Sequence, residues 1–161
     1  MDMLSVDSMQ KFGQARRQAS LNTFFRFLTG QTNDLLSFDQ VRQKLGLKHR
    51  RDLGVYEIGL DDIVGSVGRH TDFTREFYPR FEGEGVSERW RRVYDLVNSL
   101  AGLPPIKAIK VGDAYFVEDG NHRVSVARTN KAEKVQAHVV EYDSPVPLTP
   151  EDIVDDLLEY N

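Results

Sequence analysis

Cysteine is absent from this 161-residue sequence, and that single gap removes disulfides, thiolate catalysis and cysteine-ligated zinc together. Long hydrophobic runs are missing too. No apolar stretch approaches the roughly 18 residues that a membrane-spanning helix needs, and 40% hydrophobic with 29% charged residues is a soluble composition. The start, MDMLSVDSMQ, lacks the basic-then-apolar order of a signal peptide, so a cytoplasmic location and no membrane partner are expected. The four histidines, His49, His70, His122 and His138, lack zinc spacing. Bases are missing from residues 141–161, which hold seven acids, whereas residues 1–51 carry nine Lys/Arg against four Asp/Glu. A basic head and an acidic tail are either two solvated faces or two surfaces that attract, within one molecule or between subunits.

What is present reads as one ordinary core with a helical addition. From Ser8 to Leu28, the positions of Met9, Phe12, Ala15 and Ala19, followed by Phe24, Phe25, Phe27 and Leu28, predict an amphipathic helix closed by Gly30. Its aromatic end is expected to pack on the body of the protein or on a partner subunit, which makes a homodimer through this helix an expectation. Ser37 with Gln40 forms a capping-box pattern before Val41 and Leu45, with Gly46 as the stop. LKHRRDLGV reads as a basic linker, and VYEIGLDDIVGSVGRH as a strand followed by a loop with its tip at Gly65–Asp72. Ser87 then caps a helix carrying Trp90, Val93, Tyr94 and Val97, stopped by Gly102, Pro104 and Pro105, with Arg89, Arg91 and Arg92 on its other face. Short strands at 106–110 and 114–118 flank a Val111-Gly112-Asp113 turn. A helix follows at 121–129, then a strand at 135–142. Thr149-Pro150-Glu151-Asp152 starts a last helix with Ile153, Val154, Leu157 and Leu158 as its apolar stripe. This order implies an α+β fold, a small mixed sheet flanked by helices, and not a doubly wound one.

The chemistry concentrates in "EDGNHR", where a strand turns into a helix. The first-turn amides of a helix beginning near Asn121 have no carbonyl partners, and the aligned peptide dipoles add about half a positive charge there, so an anion is favoured. In this reading Gly120 clears the approach, and Asn121, His122 and Arg123 donate to phosphate oxygens, Arg123 through two parallel bonds. Asp119 caps the helix, holds a magnesium ion or orients His122.

The segment from Tyr56 to Tyr142 resembles the ParB/sulfiredoxin superfamily. "EIGLDDIVGSVGR" is similar to that family's opening strand and arginine-bearing loop. "RWRRVYDLVNSLAGLPPIKAIKVGDAYFVEDGNHRVSVAR" is similar to its helix, hairpin and phosphate-binding corner. The family's corner reads GERR in chromosome-partitioning ParB proteins, where it binds the phosphates of CTP. It reads GCHR in sulfiredoxin, with a catalytic cysteine, and DGHHR in the free serine kinases, to which DGNHR stands nearest together with sulfiredoxin. Asn121 occupies the place of the sulfiredoxin cysteine, which excludes thiolate reduction of a sulfinic acid. The corner lacks one arginine of the ParB form, and no helix-turn-helix follows Tyr142, so DNA binding has little support.

The resemblance implies a ParB/sulfiredoxin-like domain over 51–143, preceded by a helical annex over 1–50 and followed by an acidic helix over 144–161. It also implies that GSVGRHTDFTRE faces the phosphate corner, bringing Arg69, His70, Asp72 and Glu76 toward it. Arg69 would then neutralise charge, and Asp72, Glu76 or His70 would orient a nucleophile, since Asn121 cannot take a proton. The expected ligand is a nucleotide (ATP, ADP or CTP) with magnesium. The expected activity is phosphoryl transfer or nucleotide hydrolysis, with a non-catalytic regulator that binds nucleotide or DNA as the alternative.

Overall fold

The computed structural model describes residues 4–30, 32–80, 84–99, 104–145 and 149–150. Ten elements follow in chain order: α1 (Val6–Thr29), β1 (Leu36–Ser37), α2 (Phe38–Leu45), β2 (Arg50–Gly59), β3 (Ile63–Ser66), α3 (Glu84–Val97), β4 (Ile106–Val111), β5 (Ala114–Asp119), α4 (Asn121–Thr129) and β6 (Lys134–Tyr142). Glycines close the first two helices in the left-handed conformation, Gly30 at φ 70° and Gly46 at φ 63°. Ser5 opens α1 by accepting from the Ser8 N–H, whereas Ser37 precedes α2 without the cap bond that its sequence pattern suggests.

The strands form one mixed sheet in the order β1-β3-β5-β4-β6-β2. β1, β3 and β5 run parallel, β5 and β4 form an antiparallel hairpin, β4 and β6 are parallel, and β2 closes the far edge antiparallel to β6. The fold is therefore α+β, as the element order implies. Three segments differ from the sequence reading, the first being α3, which begins at Glu84 so that Ser87 lies inside it and does not cap it. The basic stretch read as a linker enters β2 at Arg50, where Arg51 pairs with Glu141 across to β6; an edge strand with one wet side tolerates such charges. Ile63–Ser66, which reaches into the expected loop tip at Gly65, is a second, separate strand buried on both faces, so its side chains show no alternation. Gly65 lies between β1 and β5, where a β-carbon would run into the Leu36 carbonyl and the Phe116 ring.

One sheet face packs α2 through Phe38 and Val41 against Val64, Phe116 and Tyr142. The other packs α4 through Val124, together with Phe73 and Phe77 from the loop after β3, against Ile58, Ile106, Tyr115 and Val139. Thus the later part of the stretch 1–50 joins the sheet, and α1 lies outside it on the helical layer. There Trp90 of α3 is fully buried, stacked on Tyr94, edge-on to Phe12 of α1, and donating its indole N–H to Ser125 Oγ of α4 at 2.9 Å. Arg91, placed by the sequence on the solvated side of this helix, is instead buried: its guanidinium donates to Ser8 Oγ and the Ser5 carbonyl, pinning the start of α1. Gly102 and the proposed helix after Pro150 lie outside the described residues. Among the described residues no helix is long and apolar enough to cross a membrane.

Candidate functional site

The turn from β5 into α4 forms as the sequence indicates, with Gly120 at φ 116° as the N-cap residue and the first helical bond running from the Val124 N–H to the Gly120 carbonyl at 3.0 Å. Gly120 itself makes no side-chain cap, and among the described residues the amides of Asn121, His122 and Arg123 have no protein acceptor. The reason for the glycine is different from the one expected. A β-carbon there would come within 2.6 Å of Ile106 Cγ2 and 3.2 Å of Arg123 Nε, so the space beside Gly120 is filled by the protein's own atoms.

Arg123 is also committed elsewhere. Its guanidinium donates to the carbonyls of Pro104 at 2.7 Å and Pro105 at 3.1 Å and pairs with Asp119 at 3.3 Å, leaving the side chain 17% exposed. The fork that was expected to hold a phosphate thus ties α4 to the entry of β4. Asp119 is its exposed partner, and Asp119 caps nothing. Asn121 is buried, and its Oδ1 accepts a hydrogen bond from Ser66 Oγ at 2.8 Å, joining the start of α4 to the end of β3.

His122 is the side chain around which the rest gathers. It meets Phe73 edge-on at 5.2 Å between ring centres, and burial, helped by the charges of Arg89 and Arg69, pushes its pKa down to about 4. Asp72 acts in the opposite direction on the same imidazole. The loop after β3 therefore does reach the corner, held there by buried Phe73 and Phe77 and by the bond from the Thr74 N–H to the Tyr78 carbonyl. Arg69 and Asp72 face each other across a tight turn, with Nη1 to Oδ2 at 3.1 Å. Arg89 is exposed and makes no hydrogen bond or ion pair among the described residues. The sequence placed Arg89 on the solvated flank of α3; nothing local signals its electrostatic reach to His122, which comes with the packing of α3 on α4.

Of the other expected residues, Glu76 is engaged elsewhere. Glu76 accepts from Asn22 Nδ2 at 2.6 Å and lies 3.6 Å from Arg26, so it fastens the loop to α1. His70 is half-buried, and its Nδ1 has no hydrogen-bond partner among the described residues. Next to Glu76, Arg75 runs inward to donate to the Val64 carbonyl at 2.8 Å, and burial first, then Arg26, lowers its pKa to about 10.

The residues present suit an anion better than a bare metal ion. Among the described residues no three His, Asp or Glu side chains gather to hold a cation. Magnesium is commonly held by one or two carboxylates together with substrate phosphates; Asp119, expected to hold it, is exposed and pairs with Arg123, while Asp72 acts on His122 through its charge.

No protein-family model matches the sequence, and no curated protein does. Among solved structures, sulfiredoxin from Arabidopsis thaliana is similar to 66% of this chain and 94% of its own, at 14% identity and a TM-score of 0.41. A likeness of that size carries no argument about the corner, which rests on its own geometry.

Proposed function

We propose that the β5–α4 corner binds a phosphate group, carried by a nucleotide or by another phosphate-bearing ligand, inside the cytoplasm. One observation carries this reading: the leading amides of α4, at Asn121, His122 and Arg123, have no acceptor among the described residues, in a turn where the charges of Arg89 and Arg69 also act on a His122 whose pKa is lowered first by burial. Two cations that already lower the pKa of one imidazole make its surroundings positive, and an entering anion would relieve that field. The resemblance of Tyr56–Tyr142 to ParB/sulfiredoxin corners points the same way.

The test follows from linkage. A bound anion favours the charged imidazole, so the His122 titration midpoint, read by NMR, is expected to rise from about 4 when inorganic phosphate, ATP, ADP or CTP is added with magnesium. By the same linkage, affinity strengthens as pH falls from the raised midpoint toward about 4. Arg89→Ala and Arg69→Ala should each weaken the effect. A midpoint unmoved by every one of these probes would remove the proposal.

Turnover is a second reading, favoured by Asp72, whose charge acts on His122. Magnesium-dependent release or transfer of a phosphoryl group that is lost in Asp72→Asn, with binding retained, would support it. Binding without turnover, or salt-sensitive retention on DNA, would favour the regulator.

A further inference from the structure

α1 buries one stripe and leaves another bare. Phe12, Ala15 and Ala19 face the molecule, but from Leu21 onward the helix is held mainly by polar ties, Asn22 to Glu76 and Arg26 to the Thr32 carbonyl. On the opposite side Leu21, Phe24 and Leu28 recur at three- and four-residue steps behind an exposed Arg17, and they are 51%, 56% and 62% exposed. Phe27 beside them is 79% exposed. An open groove of about 740 Å³, lined by Met9, Phe12, Arg17 and Leu21 among others, continues this face toward the start of the helix. An apolar stripe of this kind ordinarily marks a contact surface.

Charge chooses the occupant. Of the bases on α1, Arg16 donates to the Pro79 carbonyl and Arg26 to the Thr32 carbonyl, which leaves exposed Arg17 as the cation on the outer face, so pairing that face with a second α1 would bring like charges together. Residues 151–161, EDIVDDLLEYN, hold five acids and no base, and set Ile153, Val154, Leu157 and Leu158 at helical spacing. Eleven residues in helical form span about 16 Å, which equals the run from Arg17 to Leu28. We propose that residues 151–161 dock on the outer face of α1 of the same chain, with Leu157 and Leu158 on the stripe of Leu21, Phe24 and Leu28 and their carboxylates toward Arg17. A covalently joined segment acts at an effective concentration near the millimolar range, which favours docking within the chain over capture from another molecule.

The absence of cysteine makes the test direct. Tyr160→Cys supplies a sole thiol for a nitroxide spin label, read through the amide signals of the isotopically labelled chain. Signals of Arg17, Leu21, Phe24 and Leu28 are expected to lose most of their intensity relative to the reduced label, with those of β5 unaffected. Introducing Leu157→Ser and Leu158→Ser together should restore the α1 signals while the remaining spectrum is unchanged. Retained intensity on α1 in the singly substituted protein, or loss that survives the double serine change, would overturn the contact. Loss seen when spin-labelled, isotopically unlabelled chain is mixed with label-free isotopic chain would transfer the contact to a second copy and overturn docking within the chain.

Discussion

Gly120 and His122 show how a single position can carry both the geometry and the electrostatics of the corner. A residue other than glycine at 120 must adopt φ 116° and place its β-carbon against Ile106 Cγ2 at 2.6 Å. Gly120→Ala is therefore expected to cost about 1–3 kcal/mol of stability in urea unfolding, because backbone strain and overlap add. For His122 the sign follows from its depressed pKa. In the unfolded chain the imidazole takes up a proton near its ordinary 6.5, but in the folded protein only near about 4. Stability should accordingly fall as pH drops from about 6.5 toward about 4 and level off below, and His122→Gln should remove that part of the slope. Arg123→Ala is expected to lower stability by about 1–2 kcal/mol while leaving phosphate binding largely intact, because its donors serve the Pro104 and Pro105 carbonyls. Loss of binding without loss of stability would return Arg123 to the ligand.

Among the elements, α1 is held at its start by polar groups that are distant in sequence. Arg91 reaches Ser8 and Ser5, Asp95 accepts from the Ser5 N–H at 3.0 Å, and Tyr94 donates to Asp7. Arg91→Met should raise amide exchange through the first turns of α1 far more than in β4 and β5, since its partners lie in the annex and not in the sheet. The helices and the β4–β5 hairpin were legible in the sequence because their signals are local: caps, glycine stops, and periods of three to four or two. β3 was not, because a short strand buried on both faces has the apolar run of many other structures and lacks a period. β2 was half-legible, since its first residues carry the charges of a linker yet are satisfied across the sheet by Glu141.

For the molecule as a whole, the sheet supplies the frame on which β3, β5 and the start of α4 converge, and the helical layer of α1, α3 and α4 brings Arg89 to it. A phosphate ligand present at about a hundred times its dissociation constant would stabilise the fold by about 2.7 kcal/mol. For a chain of this length that corresponds to a rise of roughly 5–10 °C in Tm, and the rise should shrink in Arg89→Ala. An unchanged Tm under every phosphate probe would count against a ligand at this corner. Reading the residues in order was sufficient to place a strand, a left-handed glycine and a helix start at 114–129, because backbone preference and capping act within a few positions. Which polar groups there remain available was settled only when the chain closed on itself. Asn121 found Ser66, Arg123 found two proline carbonyls, Glu76 found α1, and the charge of Arg89 came to act on His122, all through partners whose distance along the chain leaves no mark in local pattern.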